Sequence, residues 1–264
     1  MSSVNGPSGG DATSRPEPEF GVMITEFTTP SIPLLLDRAG FDFGLVDTEH
    51  GTVAPDAFRA LLLVARLGGT RVLVRVPGID RRAITEALDL GAAGIVVPHV
   101  DTVPQADAAA RAARFAPEGA RGMSTMKAHT LYDSTDVPGI VKRANASIRV
   151  YMQIESRAGV ENAGLIARVP GVDGLLVGPS DLLQDLGYPG QFDHPDLADA
   201  VKRVAEAAVS AGIAGGAISS NTAFLEKCYQ RGMGLFIVGS DLGHFLSGAR
   251  ASLAAVRAWR RRSL

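Results

Sequence analysis

Short apolar runs rich in β-branched residues alternate with longer segments of helical periodicity along most of the chain. An apolar run bounded by glycine or proline is typical of a buried strand, and the longer segments are typical of helices that cover a parallel sheet. The pattern predicts eight strands, at residues 20–26, 43–48, 71–76, 94–98, 149–155, 174–177, 214–219 and 234–239.

Eight helices are predicted between and after these strands. A strand, a helix and a second strand in succession set the two strands parallel. Eight such pairs in 264 residues favour an α/β fold closed as a (β/α)8 TIM barrel. An open doubly wound sheet stays the alternative, because closure is not visible in a sequence. The predicted helices span residues 31–39, 55–67, 80–90, 103–115, 158–169, 195–211, 222–231 and 242–261.

Two segments depart from this rhythm. Residues 1–19 are rich in Gly, Ser, Pro and acidic residues with almost nothing to bury, so we expect a disordered tail ahead of a barrel domain at residues 20–264. Residues 116–147 are too long for a plain connection. Because this insertion follows the fourth strand, we expect it on the active-site side of the barrel, where long ordered loops are usually functional.

Composition narrows the class of protein. With 46% hydrophobic residues the chain can bury a large core, and its net charge of −2 leaves no basic face for a nucleic acid. The single cysteine, Cys228, excludes an internal disulfide and fits a reducing compartment. The sequence shows no run long enough to span a membrane and no signal-peptide pattern at its start. We therefore expect a cytoplasmic protein without a nucleic-acid or membrane partner.

Two carboxylates, Glu155 and Asp181, follow consecutive predicted strands. Active sites of parallel α/β folds are built where the carboxyl ends of the strands meet, so we expect the two side chains to lie in one crevice. Two carboxylates at such a short distance require a cation, a shared proton or a partner base between them. The structural alternative is that Glu155 pairs with Arg157 and that Asp181 caps a helix beginning at Leu182.

Further polar residues follow the other strands. His50 comes after Asp47 and Glu49 at the end of the second strand, and Asp47 could orient it as a base. Arg75 interrupts an apolar strand and must find a partner in the barrel mouth. Two structural alternatives stay open: His50 caps its own loop, or Arg75 forms an ion pair with Asp47 or Glu49. His99, after the fourth strand, fits a structural role as well as a functional one.

Lysine usage bears on how a carbonyl could be activated. Lys142, Lys202 and Lys227 fall on helices or in the insertion, and Lys127 is a remote exception in the insertion loop. A Schiff-base lysine requires a desolvated place in the barrel mouth, which none of these positions offers. Activation would then fall to a metal, and two carboxylates without a set of Cys or His ligands suit Mg²⁺ or Mn²⁺. The sequence carries no phosphate-binding loop or dinucleotide fingerprint.

Seven motifs follow one another from about residue 20 onward: FDFGLVDTEHG, LVRVPG, LDLGAAGIVVPHVDT, RGMS, MQIESRAGVEN, VDGLLVGPSDLLQDLGYPG and LFIVGSDLG. In these motifs and in their order the chain resembles the class II, metal-dependent pyruvate aldolases of the aldolase/citrate lyase superfamily, typified by 4-hydroxy-2-oxoheptanedioate aldolase and 2-oxo-3-deoxy-sugar-acid aldolases. The resemblance implies a barrel of the phosphoenolpyruvate/pyruvate type, commonly assembled as a homohexamer with the last helix exchanged between neighbours.

The resemblance also implies a cofactor and its ligands. Carried over by motif, Glu155 of QIES and Asp181 of GPSD would hold a divalent cation, Mg²⁺, Mn²⁺ or Co²⁺, and Gln153 would line the same site. The backbone around Ser180 and Asp181 would bind the pyruvate carboxylate at a helix start, where free N–H groups favour an anion. Arg75 would face the pyruvyl oxygen, and His50 with Asp47 would transfer protons.

Several residues depart from the family pattern. QIES replaces the usual QIET, Ser180 replaces a common alanine, and the first strand lacks a frequent tryptophan. TMKAHTLY follows RGMS where the family usually has an Arg-Ala pair, so we expect Lys127 and His129 to shape an unusual acceptor pocket.

These features together predict an aldehyde-lyase. It would interconvert a 4-hydroxy-2-oxo acid with an aldehyde and pyruvate, or a related 2-oxo acid. The alternative is an enzyme that joins an enolate to an oxo acid or a thioester, or cleaves such a product, as citrate synthases and citryl lyases do. A barrel that binds a metabolite without turnover is the third possibility.

Overall fold

The computed structural model describes residues 17–261, so most of the predicted tail, residues 1–16, lies outside the described part of the chain. Eight parallel strands close into one barrel in chain order, and the last strand pairs with the first. This closure confirms the predicted (β/α)8 barrel and excludes the open sheet. The strands are β1 Glu19–Ile24, β2 Phe43–Asp47, β3 Arg71–Arg75, β4 Gly94–Val97, β5 Arg149–Ile154, β6 Gly174–Val177, β7 Ala214–Ser219 and β8 Leu235–Ser240.

Helices surround the barrel, and all eight predicted ones are present with ends shifted by three residues or fewer, the last closing in a 3₁₀ turn at Ala258–Arg261. Two more helices, α5 and α7, were not among the eight predicted, although a helix beginning at Leu182 had been considered as the alternative role for Asp181. None of the helices within residues 17–261 has both the length and the apolar character that crossing a bilayer requires. The helices are α1 Ile32–Ala39, α2 Pro55–Gly68, α3 Arg81–Asp89, α4 Val103–Ala113, α5 Val137–Ser147, α6 Arg157–Ile166, α7 Pro179–Leu186, α8 Pro195–Ala211, α9 Thr222–Gln230 and α10 Asp241–Arg257.

Side chains along each strand alternate between the barrel interior and the layer beneath the helices, because successive residues of a strand point to opposite faces. The large core cluster joins strand residues to helix residues. A second cluster, drawn only from strands, fills the interior. It consists of Phe43, Leu45, Leu73, Val96, Tyr151, Leu176, Leu235 and Ile237.

The interior positions change character towards the carboxyl ends of the strands. Two residues beyond Leu45 is Asp47, two beyond Leu73 is Arg75, and two beyond Tyr151 is Gln153. All three are buried. The alternation that packs the barrel therefore also directs these polar side chains into its mouth.

The insertion at residues 116–147 does not lie where we predicted it. It follows α4, which returns the chain to the amino-terminal end of the barrel, and several of its contacts are with helix ends on that side. Arg66 near the end of α2 donates to the carbonyl of His129 at 3.2 Å, and Arg121 binds Asp89, the last residue of α3, at 2.6 Å. Ala120 also accepts a hydrogen bond at 2.9 Å from Arg81, at the start of α3. The prediction was wrong because it placed the insertion relative to the fourth strand and not relative to the helix after it.

Candidate active site

Arg75 is clamped between two carboxylates at the carboxyl ends of β2 and β3. Asp47 and Arg75 are partners in the register of these strands. The guanidinium donates to both oxygens of Asp47, from Nε at 2.9 Å and from Nη2 at 2.7 Å, and its Nη1 lies 3.2 Å from Glu49 Oε2. Asp47 and Arg75 are only 1% and 6% exposed. This two-pronged pairing fixes the plane of the guanidinium inside the barrel mouth.

Electrostatics within the clamp favour the charged forms of both partners. Burial acts to raise the pKa of Asp47, but the hydrogen bonds and charge of Arg75 outweigh it and hold this pKa below its usual range. Burial acts to lower the pKa of Arg75, and the neighbouring acids Asp47, Glu49 and Glu155 together raise it. The expected ion pair of Arg75 is thus confirmed, with both of the acids that we had considered.

Glu155 is a buried carboxylate on the other side of the mouth. It is 2% exposed, and its oxygens accept hydrogen bonds from Gln153 Nε2 and, at 2.7 Å, from the backbone N–H of His99. Burial nevertheless raises the pKa of Glu155, and the negative charge of Asp181 raises it further. The charge of Asp181 thus reaches Glu155, and their shared place as ligands of one cation stays a prediction. The alternative pairing of Glu155 with Arg157 is absent from the ion pairs of residues 17–261, and the Arg157 backbone N–H donates to Asp185 at 2.7 Å.

Gly178 provides the space next to Glu155. It follows β6 at the interior position two residues beyond Leu176. A Cβ built on Gly178 would lie 2.5 Å from Glu155 Oε2 and 2.9 Å from Gln153 Nε2, closer than real side chains allow. Only glycine leaves room for Gln153 and Glu155 to meet here.

Asp181 and Ser180 lie in the first turn of α7. The helix begins at Pro179 and not at Leu182, so Asp181 is inside its first turn and is not its N-cap. The cap residue is Gly178, which has no side chain to bond the first N–H groups. Because the first N–H groups of a helix lack partners within it, this end can hold an anion. Ser180 and Asp181 lie at this end of the helix, and the anion site expected there stays a prediction.

His99 joins the two sides of the mouth. Its Nδ1 lies 3.1 Å from Glu155 Oε1 and its Nε2 lies 3.2 Å from Glu49 Oε1. The backbone of His99 has a φ of 53°, a left-handed conformation that residues other than glycine rarely adopt. Backbone strain of this kind is concentrated at functional sites. The imidazole is 60% exposed, so it stands where a substrate would enter.

His50 lies at the rim, with a 65% exposed ring. Asp47 holds His50 through the backbone N–H at 3.3 Å, and the carboxylate nearest the His50 ring is Glu49, at 3.9 Å from Nε2. The expectation that Asp47 orients the imidazole is therefore corrected: Asp47 fixes the loop and Arg75, and Glu49 faces the ring.

The residues of this crevice fit a divalent cation held by two carboxylates. Within residues 17–261 no group of three or more His, Cys, Asp or Glu side chains is arranged to hold a metal, so protein ligands would fill only part of a coordination shell. That is the usual situation of Mg²⁺, which keeps positions for water and substrate. The buried Gln153 Oε1, which has no hydrogen-bond partner in the described structure, adds a neutral oxygen donor beside Glu155.

Comparison with known proteins places the chain. The model of the HpcH/HpaI aldolase/citrate lyase family matches residues 28–248. The chain belongs to this family. A 5-keto-4-deoxy-D-glucarate aldolase of Klebsiella pneumoniae subsp. pneumoniae is 36% identical over 219 residues, which cover 82% of this chain and 84% of that protein. The predicted enzyme class, a carbon–carbon lyase of the aldolase type, is thereby confirmed.

Solved structures agree with this assignment. An HpcH/HpaI aldolase from Desulfitobacterium hafniense superposes with a TM-score of 0.86 at 28% identity, covering 91% of this chain and 93% of that one. The citrate synthase SbnG superposes with a TM-score of 0.80 at 27% identity, covering 92% and 94%. A citrate lyase β subunit of M. tuberculosis, solved in complex with oxaloacetate and magnesium, shares the fold with a TM-score of 0.56 at 16% identity.

The sequence analysis of this HpcH/HpaI family member did not include Glu49 and His99 among the proposed site residues, although both contact residues of that set. We considered Glu49 only as a structural partner of Arg75 and left His99 between two roles. A usable signal for Glu49 was present, because its spacing of two from Asp47 places both on one strand face. The left-handed backbone that turns His99 over the site has no such signal, since residues other than glycine rarely adopt it.

Proposed function

We propose that the protein is a divalent-metal-dependent aldolase that cleaves a 4-hydroxy-2-oxo acid to pyruvate, or a related 2-oxo acid, and an aldehyde. One observation carries the proposal: Glu155, whose pKa is raised by burial and by the charge of Asp181, is buried at the same barrel mouth as the clamped guanidinium of Arg75. Two acids held this close stay ionised when a cation lies between them.

Glu155 and Asp181 are the proposed metal ligands, with Mg²⁺, Mn²⁺ or Co²⁺ as the ion. When bound, the cation acts as a Lewis acid towards the 2-oxo acid. Gln153 and the His99 amide hold the Glu155 carboxylate in place through their hydrogen bonds. Gly178 keeps the adjacent volume free of side-chain atoms.

Arg75 stabilises the negative charge that develops on the substrate oxygen as the carbon–carbon bond breaks. Its guanidinium cannot rotate freely, because Asp47 holds two of its nitrogens and Glu49 lies beside the third. A preorganised donor of this kind lowers the barrier by roughly 3 to 4 kcal/mol.

Proton transfer falls to the histidines at the entrance. His50 takes and returns the proton of the C4 hydroxyl, with Glu49 beside its ring and Asp47 on its backbone. The first N–H groups of α7, at Ser180 and Asp181, bind the substrate carboxylate.

The preferred substrate is a sugar-derived 4-hydroxy-2-oxo dicarboxylic acid. The Klebsiella relative is named for 5-keto-4-deoxy-D-glucarate, which is such a compound when it is numbered from its keto end. The likeness to a citrate synthase favours one second candidate, in which the same enolate adds to an oxo acid. Both reactions use the same metal crevice and differ in the electrophile.

A homo-oligomer, a hexamer by family resemblance, is part of the proposal. Every residue of α10 from Leu242 to Arg257 is exposed, including large apolar side chains such as Phe245 and Leu253. Isolated proteins rarely leave such a helix face in water, and exchange of α10 between neighbouring copies would cover it. The buried, unpaired Cys228 suits a reducing compartment, and we propose the cytoplasm.

The test is an assay of pyruvate release from a panel of 4-hydroxy-2-oxo acids, led by 5-keto-4-deoxy-D-glucarate. Each substrate is assayed with added Mg²⁺, Mn²⁺ or Co²⁺ and after chelation. We expect activity that is lost with chelator and restored by metal. Full activity in excess chelator would contradict the mechanism. Condensation of pyruvate or another enolate donor with oxaloacetate, without cleavage of any hydroxy-oxo acid, would favour the second candidate.

A further inference from the structure

A large cavity opens at the amino-terminal end of the barrel, opposite the proposed active site. Its volume is about 850 Å³, within the range of pockets that bind small molecules. Arg71 and Arg149, the first residues of β3 and β5, line one wall, and the insertion with α5 forms the other. None of the proposed catalytic residues contributes to this cavity.

Arginine dominates the lining. Five arginines face only two acids, Asp133 and Asp136, in the cavity wall. Four of the five are exposed, and each uses a single nitrogen in its hydrogen bonds and ion pairs, which leaves most of the five N–H donors of each guanidinium available. These contacts join Arg66 to the His129 carbonyl, Arg71 to Glu19, Arg143 to Asp136, and Arg149 to the Ala146 carbonyl and Asp173.

The fifth arginine, Arg121, is fully buried in the wall. Its Nη2 binds Asp89 at 2.6 Å and its guanidinium lies 4.5 Å from the centre of the Phe115 ring, but Nε and Nη1 have no hydrogen-bond partner in residues 17–261. The ring nitrogens of the adjacent His129 also lack hydrogen bonds there. Burial lowers the pKa of His129, and the charge of Arg121 lowers it further. A neutral His129 offers hydrogen bonding at the wall without adding to its charge.

We propose that this cavity binds a small organic dianion that carries two carboxylates. Guanidinium groups are suited to carboxylates. Four of the five arginines have an acidic neighbour, but most of their N–H donors, and two nitrogens of the buried Arg121, remain open to an anion in the cavity. Arg149 is level with Leu73 across β4, so Arg71 lies two strand spacings away and two residues nearer the strand start, about 12 Å from Arg149 at the backbone. Flexible side chains from both positions can close on the two ends of a molecule with a short carbon chain.

The test is isothermal titration calorimetry of D-glucarate against the full-length protein in Mg²⁺. We use the wild type and the Glu155→Gln variant, because the latter removes binding through the proposed metal crevice. The account predicts one glucarate site per chain that survives in Glu155→Gln. Arg149→Gln and Arg143→Gln should each weaken this site by roughly tenfold. The matched control Arg203→Gln, on the exposed face of α8, should change it less than about twofold.

Three results would overturn the proposal. Loss of the site in Glu155→Gln alone would place the glucarate in the active site. Equal weakening by Arg203→Gln would show general ionic attraction. Binding of inorganic pyrophosphate as tightly as glucarate, at equal ionic strength, would reject the dicarboxylate class. Arg143 and Arg149 are exposed, so we expect both variants to fold like the wild type, and circular dichroism of each variant checks this.

Discussion

The two ends of this barrel carry opposite chemistry on the same eight strands. At the carboxyl ends, several acids surround one buried arginine whose nitrogens are all engaged. At the amino ends, several arginines surround an open cavity and use few of their donors. Buried charges must be paired, so the first arrangement is rigid, and exposed charges need no pairing, so the second is adaptable. Rigidity suits the stabilisation of a transition state, and adaptability suits reversible binding.

Replacing Glu155 should give the largest loss of activity, and it should affect only the site at the carboxyl-terminal end of the barrel. Glu155→Gln removes the charge of a proposed metal ligand, and we expect kcat/KM for pyruvate release to fall by about 10³-fold or more. Glu161→Gln, at an exposed position on α6, is the matched control and should retain activity. Unchanged turnover in Glu155→Gln would remove the metal crevice from the account.

Breaking the arginine clamp should cost stability as well as activity. Asp47→Asn removes one partner of a buried ion pair, which typically costs about 3 to 5 kcal/mol; Glu49 remains beside Arg75, so we expect the lower end of this range. Chemical denaturation measures the change. Glu206→Gln breaks the exposed Lys202 pair on α8 and should change the free energy of unfolding by less than about 1 kcal/mol. Equal effects of the two variants would contradict the clamp.

The same clamp predicts how stability depends on pH. The pKa of Asp47 is lowered in the folded state, so its contribution is fully present above the ordinary pKa of aspartate, near 3.9, and is lost as the pH falls through the lowered value. In Asp47→Asn, the loss of stability on acidification should be smaller than in the wild type. Identical acid profiles would contradict the assignment.

Filling the space at Gly178 should give an intermediate effect. Gly178→Ala forces Glu155 or Gln153 to move, and we expect metal affinity to weaken by about 10- to 100-fold. Gly164→Ala is the matched control, because a Cβ at this position of α6 meets nothing within 4 Å. Calorimetric titration with Mn²⁺ compares the two. Wild-type affinity in Gly178→Ala would show that the crevice relaxes freely.

The smallest expected effect is the pH dependence of metal binding. A proton on Glu155 competes with the cation, and burial raises the pKa of this carboxyl, so Mn²⁺ affinity should rise with pH up to that raised value and then level off. The slope is at most about tenfold per pH unit for one proton. If the Mn²⁺ affinity of the wild type did not rise with pH, or if it still rose in Glu155→Gln, the proton that competes with the cation would belong to a group other than Glu155.

The same comparison shows what the sequence could reveal. Alternating apolar runs and helical segments were sufficient to predict the barrel, and the polar residues at the strand ends led to the prediction that Glu155, Asp181 and Arg75 share one mouth. The cavity was not predicted, because its arginines come from α2, the strand starts and the insertion, which are distant in sequence and share no motif. The insertion at residues 116–147 was predicted at the wrong end of the barrel, because α4 returns the chain to the amino-terminal end before the insertion begins. The tight turn at Gly178 and the left-handed His99 depend on backbone geometry that residue patterns do not encode.

The most direct test of the central claim is a count of the Mn²⁺ ions bound per chain, by electron paramagnetic resonance, in the wild type, Glu155→Gln and Asp181→Asn. The account predicts one tightly bound ion in the wild type and none in either variant, with folding preserved by circular dichroism. A tightly bound ion that persists in either variant would show that the two carboxylates do not share it.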